Sequence, residues 1–253
     1  MAGSIVAAAV SMGALGVAFA GGLYYAAKKL QVDTDERLEL LTNILPGYNC
    51  GACGFSGCSG MAQDLLEGKA PVDGCSPGGP VVVGKIAEFL GTKADHVERK
   101  VAHVACRGNL SFDPRADYAG LPDCRAANMV VGGHRTCVYG CLGFGTCVEA
   151  CEFGALSQDE RGVPVVDTAA CVGCGKCAEV CPRGVIRMVE DGKHSFVRCN
   201  SPADARTVRS MCQEGCIGCR ACERICHYEA VHVVDGLAVI DASKCTGCGE
   251  CAI

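Results

Sequence analysis

Tryptophan is absent from this sequence, and its other aromatics are six tyrosines and seven phenylalanines in 253 residues. Large aromatic side chains normally carry much of a core of that size. A chain this poor in them must fill its interior with small residues and with something that is not a side chain. A basic surplus is lacking too: 28 acidic residues face 23 basic ones, a formal net charge of -5, which argues against a nucleic-acid partner. No dinucleotide-binding fingerprint and no nucleophile–base pair is visible. The six histidines, at 96, 103, 134, 194, 227 and 232, are scattered as surface or packing residues are. One phosphate-binding motif is incomplete. Gly79-x4-Gly84-Lys85 is followed by Ile86, so the hydroxyl that would ligate magnesium is missing.

Charge is missing altogether from Ile5 to Ala27. A helix of that length is about 35 Å long, enough to cross a hydrocarbon core of about 30 Å. Lys28 and Lys29 follow at once, and Tyr24 and Tyr25 stand where an interfacial aromatic belt would. With no basic side chain before the span, the positive-inside rule puts the amino terminus outside and the body in the cytoplasm, a single-pass protein of the inner or plasma membrane. A signal peptide cleaved after Ala18-Phe19-Ala20 is the rival; the absent basic leader and the long apolar run disfavour it. Ala9 with Gly13, Gly16 with Ala20, and Ala18 with Gly22 each share a helix face, which suits packing against partner helices in lipid.

What the chain does have is 23 cysteines. A disulfide scaffold is excluded on three grounds: the chain is long, the thiols fall at two- and three-residue gaps, and the anchor places them on the reducing side. The run Cys171-x2-Cys174-x2-Cys177-x3-Cys181-Pro182 has the full spacing of a bacterial ferredoxin. Three close thiolates hold three corners of a 4Fe-4S cube, and the fourth reaches the other cluster of a pair. Zinc prefers two separated pairs around a tetrahedron. The preceding run is looser: Cys137-x3-Cys141-x5-Cys147-x3-Cys151. Crossing then groups Cys137, Cys141, Cys147 and Cys181 around one cluster, and Cys151, Cys171, Cys174 and Cys177 around its partner.

The chain repeats this arrangement. Residues 211–251 again read as a cysteine run, a hairpin signal at Asp235-Gly236 and a second run. The ligands are Cys216, Cys219, Cys222 and Cys226, then Cys245, Cys248 and Cys251. Cys226 joins the last three by crossing. The Cys216, Cys219 and Cys222 set is left one ligand short, which predicts that the natural protein continues past residue 253. An early group, Cys50-x2-Cys53-x4-Cys58-x16-Cys75, fits a single cluster, its glycines allowing tight turns and amide donors to sulfur. Cys106, Cys124, Cys199 and Cys212 remain, the number that one more cluster needs. Isolated buried thiols or a zinc site are the alternatives, and Cys212, aligned by the repeat with Cys137, also fits the second module.

The reading is therefore an α+β chain carrying five 4Fe-4S clusters on its main motifs and a sixth if the leftover thiols combine. A transmembrane helix (1–29) precedes a small helical single-cluster domain (30–90), with helices expected at 33–45, capped by Asp33 and Glu36, and at 59–68. A linker with the possible extra ligands (91–135) leads to a ferredoxin-like module with a short β hairpin (136–190). A second linker and module follow (191–253).

At the anchor, at LPGYNCGACGFSGC (45–58) with Cys75-Ser-Pro-Gly-Gly, and at the ferredoxin-like runs, the chain resembles the B subunit of Rnf complexes, over nearly its whole length and in the longer form. The resemblance implies the cytoplasmic cluster-bearing arm of an ion-translocating (sodium or proton) ferredoxin:NAD oxidoreductase. It would accept electrons from soluble ferredoxin and pass them to membrane subunits, with NAD bound on a partner. The departures are the loose 137–151 run, His227 where proline often follows the last cysteine, and the missing end. A membrane-tethered polyferredoxin serving another partner, such as a hydrogenase, is the alternative function, and a redox sensor fits least. The early group also resembles a module of corrinoid iron–sulfur proteins, against which the anchor and the repeats speak.

Overall fold

The computed structural model of this chain describes residues 2–30, 35–93, 98–108, 114–192 and 195–252. It divides into two compact units, residues 1–40 and 41–253. The first is dominated by α1 (Ala2–Lys29), which ends on Lys28 and Lys29, where cations favour a helix C-terminus. Val10, Leu15, Phe19 and Leu23 are all exposed along it. Among the described residues it is the one helix long and apolar enough to cross a membrane. Apolar side chains left uncovered all along a helix are what a lipid environment requires.

The expected helix at 33–45 is α2 (Glu36–Ile44). The expected cap Asp33 lies outside the described residues. Asp35 does the capping instead, its carboxylate accepting from Arg37 N at 2.9 Å. In the second unit, α3 (Cys58–Leu66) and α4 (Gly79–Leu90) follow the early cysteine loop. Leu41, Met61, Leu65, Val83 and Ile86 turn inward, each contributing about 1.5–3 kcal/mol by burial. α4 also removes the phosphate-loop reading. Gly84 and Lys85 sit mid-helix and Ile86 is fully buried, so there is no loop to cradle a phosphate.

Three two-stranded antiparallel sheets follow. The hairpin of β2 (Leu156–Gln158) and β3 (Pro164–Val166) turns on Asp159, whose carboxylate accepts from Arg161 N and Val163 N. The hairpin of β5 (Val231–Val234) and β6 (Leu237–Ile240) turns at Asp235 and Gly236 with φ of +48° and +78°, the primed turn that an Asp-Gly pair favours. The third sheet was not foreseen. β1 (Lys100–Val104), in the stretch read as a linker, pairs with β4 (Ile186–Glu190), Lys100 opposite Glu190 and Val104 opposite Ile186. The polar stretch from Gly108 to Gly133, also read as a linker, contains α5 (Cys124–Met129). The short helices α6 (Thr146–Glu149), α7 (Lys176–Glu179), α8 (Ala205–Met211) and α9 (Ala221–Ile225) each stand within or beside a cysteine run. The main core joins Val101, Val104, Leu156, Val163, Val185 and Ile186 with the thiols Cys141, Cys147, Cys171 and Cys177. Sulfur occupies the place that aromatic rings leave open.

Candidate iron–sulfur centres

All 23 cysteines are free thiols. The early loop is closed by Asn49, whose side-chain oxygen accepts from Cys58 N at 2.8 Å. Cys75 is buried just before the turn at Ser76–Gly78. Burial pushes its pKa up, and the nearby Cys53, Cys58 and Cys50 push the same way. Cys50, Cys53 and Cys58 are thus near enough to Cys75 to act on its charge. The same loop meets the first ferredoxin-like run: the Tyr48 and Phe153 rings pack edge to face at 5.1 Å.

The later run of the same module carries Cys171, Cys174 and Cys177, the first and last of them buried. Burial raises Cys177 to about 11, with Cys174, Cys171 and Cys151 adding to the shift. The Cys174 thiol is raised by burial first, with Cys50, Cys151 and Cys171 adding to it. Gly173 makes the loop possible. It has φ +69°, and a Cβ there would stand 2.3 Å from the Lys100 carbonyl oxygen. The loop thus rests directly on β1.

The remaining thiols of the first half are placed differently from the sequence grouping. One cavity is lined by Cys124, Cys141, Cys147 and Cys181, with Leu142, Val180, Val185 and Ile186 among its walls. Burial pushes both Cys141 and Cys147 up to about 12. Cys124 is fixed there from α5. Its N–H donates to Thr146 Oγ1 at 2.8 Å, and that hydroxyl donates to Asp123 Oδ2 at 2.9 Å. Asp123 also caps α5, accepting from Ala126 N at 2.8 Å. Cys137, expected with Cys141 and Cys147, lines a second cavity with Cys106, Cys199 and Cys212. The four leftover thiols are therefore not one set. Cys124 is in one cavity, and the other three have joined Cys137. The two cavities touch through Cys141, whose N–H points at Cys106 Sγ at 3.4 Å.

Arg183 holds this region and was not singled out from the sequence. Its Nε donates to Asn128 Oδ1 at 3.0 Å, its Nη1 to the Cys137 carbonyl at 3.0 Å, and its Nη2 to the Gly132 carbonyl. In the second half, burial raises Cys222, with Cys216 and Cys219 adding to it. Gly218 repeats the role of Gly173, a Cβ there standing 2.8 Å from the Gly236 carbonyl oxygen. Cys226 accepts from Ala230 N at 3.4 Å and is lowered chiefly by that bond. Cys216, Cys222 and Cys251 line a wider cavity with Cys199. Cys219 and Cys248 are exposed, and neither they nor Cys245 line the two closed cavities. Of the histidines, His103 packs on Phe196 at 4.5 Å, and burial lowers its pKa. His96 and His194 lie outside the described residues.

Among the described residues no three or more Cys, His, Asp or Glu side chains converge on one ion position. Zinc would need four sulfurs each about 2.3 Å from a point. Thiols around a void, with backbone N–H groups on the sulfurs, suit a polynuclear cluster. Comparison with known proteins agrees. Residues 45–77 match the family described as "Putative Fe-S cluster". Residues 136–185 and 170–230 each match the 4Fe-4S dicluster domain family. The chain is 39% identical to the B subunit of the ion-translocating oxidoreductase complex of Methanosarcina acetivorans, over 93% of this chain and 90% of that protein. It is 42% identical to the B subunit of the proton-translocating ferredoxin:NAD(+) oxidoreductase complex of Clostridium ljungdahlii, over 98% and 88%.

The chain belongs to the family of Rnf B subunits. A third member, the B subunit of the Na(+)-translocating ferredoxin:NAD(+) oxidoreductase complex of Acetobacterium woodii, is 39% identical over 95% of this chain and 72% of its own length. The B subunit of the ion-translocating oxidoreductase complex of Rhodobacter capsulatus matches only 36% of this chain, at 48% identity. As a member of this family, the chain is an iron–sulfur component of an oxidoreductase complex, and its one long apolar helix suits a membrane assembly.

Proposed function

We propose that this chain is the membrane-anchored electron-transfer subunit of an ion-translocating ferredoxin:NAD+ oxidoreductase, receiving electrons from reduced ferredoxin on the cytoplasmic side and passing them to membrane subunits. In this reading all 23 cysteines ligate iron, and α1 is the single span, amino terminus out, with Lys28 and Lys29 on the cytoplasmic side. The layout is an anchor (1–29), a single-cluster domain (30–90), a connecting stretch that supplies ligands (91–135) and two ferredoxin-like modules (136–190 and 191–253). NAD binds a partner in the complex.

The observation that carries the reading is the succession of thiol groups. The Tyr48 ring of the early loop packs on Phe153, two residues past Cys151, the Cys141 N–H points at Cys106 Sγ, and Cys199 borders a cavity of each half. When bound, 4Fe-4S clusters supply reversible one-electron chemistry at potentials the protein sets. The chain's own work is to bury the thiols of the first half, Cys141, Cys147, Cys171 and Cys177 among them, to aim N–H groups at sulfur, and to keep neighbouring sets close. The Tyr48–Phe153 contact and the Gly173 loop do the last of these for the early group.

The test is isolation of the chain from native membranes without oxygen. Co-purification with membrane subunits that include an NAD-binding one, and reduction of its visible absorbance by reduced ferredoxin, are expected. A chain that comes down alone, or with a hydrogenase, overturns the reading.

A further inference from the structure

We propose that the chain holds a further 4Fe-4S cluster between its two ferredoxin-like modules, on Cys106, Cys137, Cys199 and Cys212, and that Cys124 supplies the ligand that the first module then lacks. The proposal rests on the iron–sulfur reading above and adds to it the membership of two clusters.

The repeat shows why the first module needs an outside ligand. Laying the second half over the first so that Cys216 meets Cys141 puts Cys222 on Cys147 and Cys226 on Cys151. The middle cysteine of the triplet, Cys219, falls on Phe144. A phenylalanine cannot ligate iron, and its ring is engaged with His134 at 5.0 Å and Tyr118 at 5.4 Å. Cys124 is brought into the same cavity by its bond to Thr146, the residue next to Cys147. With Cys141, Cys147 and the crossed Cys181 it completes four.

The same overlay puts Cys212 on Cys137. These two are the surplus cysteines that precede each module's run, and the structure takes both into one cavity. The other two thiols arrive on fixed backbone. Cys106 follows β1, tied down by Ala105 N to the Val185 carbonyl at 2.7 Å. Cys199 is followed by Asn200, whose side chain donates to the Arg183 carbonyl at 3.0 Å and accepts from Arg187 at 2.7 Å. Cys212 ends α8, the helix capped by Asp204.

The cavity has the features of a cluster cradle. Gly108 N and Cys141 N both point at Cys106 Sγ at 3.4 Å, and Ser201 N at Cys199 Sγ at 3.5 Å. Gly140 leaves open the space that a Cβ would take, 3.4 Å from both Cys106 Sγ and Cys137 Sγ. Arg107, Arg198 and Glu214 line the wall; Arg107 is paired with Glu214 at 3.2 Å, which leaves Arg198 as the cation to offset thiolate charge. Cys199 also borders the wider cavity of Cys216, Cys222 and Cys251, so this set has a neighbour in each module.

Iron counting on the full chain, purified without oxygen, tests the membership. Each single variant, Cys124→Ala and Cys199→Ala, should lose about four iron relative to the parent. The double variants decide. Cys124→Ala with Cys199→Ala should lose about eight, and Cys137→Ala with Cys199→Ala only about four. If the leftover thiols formed one set, these two losses would be exchanged, and that result overturns the proposal. Adding Phe144→Cys to Cys124→Ala should restore about four iron; no recovery overturns the substitution of Cys124 for a ligand at 144.

A measurement on the unaltered chain removes dependence on folding of the variants. In the loaded protein Cys106, Cys199 and Cys212, all only half-buried, should resist a small alkylating reagent and react once iron is chelated. Labelling of any of them before chelation overturns the proposal. A parent chain with no iron would refute the electron-transfer reading itself, whereas full iron with exchanged double-variant losses refutes only the membership.

Discussion

Arg183 offers the sharpest test of how the first half is held. Its guanidinium donates to Asn128, to the Cys137 carbonyl and to the Gly132 carbonyl. Arg183 follows Cys181, whereas its acceptors lie at Asn128 and Gly132, ahead of the first run, and at Cys137, where that run begins. Replacement by Met keeps the length and removes every donor. Hydrogen bonds from a charged donor contribute about 1.5–3 kcal/mol each, and water reaches this half-exposed side chain, so the net loss should be about 2–4 kcal/mol. Expressed wholly in the rate of unfolding, that is about a 30- to 900-fold acceleration. The charge has a second effect. A cation about 7 Å from a cluster, at an effective dielectric of about 20, stabilises one added electron by about 2.4 kcal/mol, near 100 mV before screening by salt. Arg183→Met should therefore lower one cluster's potential by about 50–100 mV. Arg183→Lys, which keeps the charge but not the fork, should destabilise while leaving the potential nearly in place. The assays are anaerobic bleaching of visible absorbance in denaturant and an electron paramagnetic resonance redox titration. A Met variant that bleaches at the parent rate and titrates at the parent potential would refute this account of Arg183.

Gly173→Ala should cost about 2–4 kcal/mol, from left-handed backbone strain plus a Cβ placed 2.3 Å from the Lys100 carbonyl oxygen. Gly175→Ala, at φ +80° with open space around it, should cost only about 1–2 kcal/mol in the same bleaching assay. The Asp123 carboxyl is held below its usual pKa chiefly by the Ala126 N–H and then by Thr146. Its contribution is therefore complete above the unfolded value of about 4 and lost as pH falls through the depressed folded value. Amide-exchange protection of Ala126 should decline over that acidic range, and Asp123→Asn should flatten the decline. In iron-free protein, burial that pushes Cys141 and Cys147 up to about 12 should keep both protonated at pH 8, so Cys226, held down by the Ala230 N–H, should alkylate well before them. Mapping of the modified peptides gives the order, and early labelling of Cys141 would contradict it.

What the sequence reveals here follows from the range of each interaction. α1 is legible because hydropathy is local, and α3 lies within a residue or two of its expected span. The turn at Asp235 and Gly236 is legible because two residues specify a primed hairpin. The triplet Cys171, Cys174 and Cys177 shows in its own spacing, and this stretch lies within both matches to the 4Fe-4S dicluster family. The pairing of β1 with β4 is not legible. Its partners are far apart in the chain, and Lys-Val-Ala-His-Val lacks the clean alternation that marks a half-buried strand. The cavities in which Cys124 and Cys137 stand are not legible for a related reason. A ferredoxin run read alone claims its nearest cysteine, whereas the structure fills the site from α5 through Thr146. The signal that could have found Cys124 is Phe144, standing in the register of a cysteine. Arg183 escaped because a residue that clamps carbonyls leaves no pattern in a sequence.

The unforeseen strand and the displaced thiols are one structural event. β1 lies against β4, supports the Gly173 loop through the Lys100 carbonyl, and delivers Cys106 two residues beyond its end. Its register therefore sets the position of a sulfur. A slip of one residue would move Cys106 by about 3.3 Å and turn the strand's side chains to the opposite face. Val101, Ala102 and Val104 are all in the main core, and a slip that brings Lys100 to the place of Val101 and His103 to that of Val104 would bury polar side chains there. The second half meets the same close approach with its own hairpin, Gly218 resting on the Gly236 carbonyl, and among the described residues it brings no added strand. The asymmetry between the halves is thus the means by which a thiol from outside the repeat reaches the space between them. Removing β1 should cost the middle set its Cys106 and loosen the Cys171 loop together, a coupling that separate modules joined by a plain linker would not show.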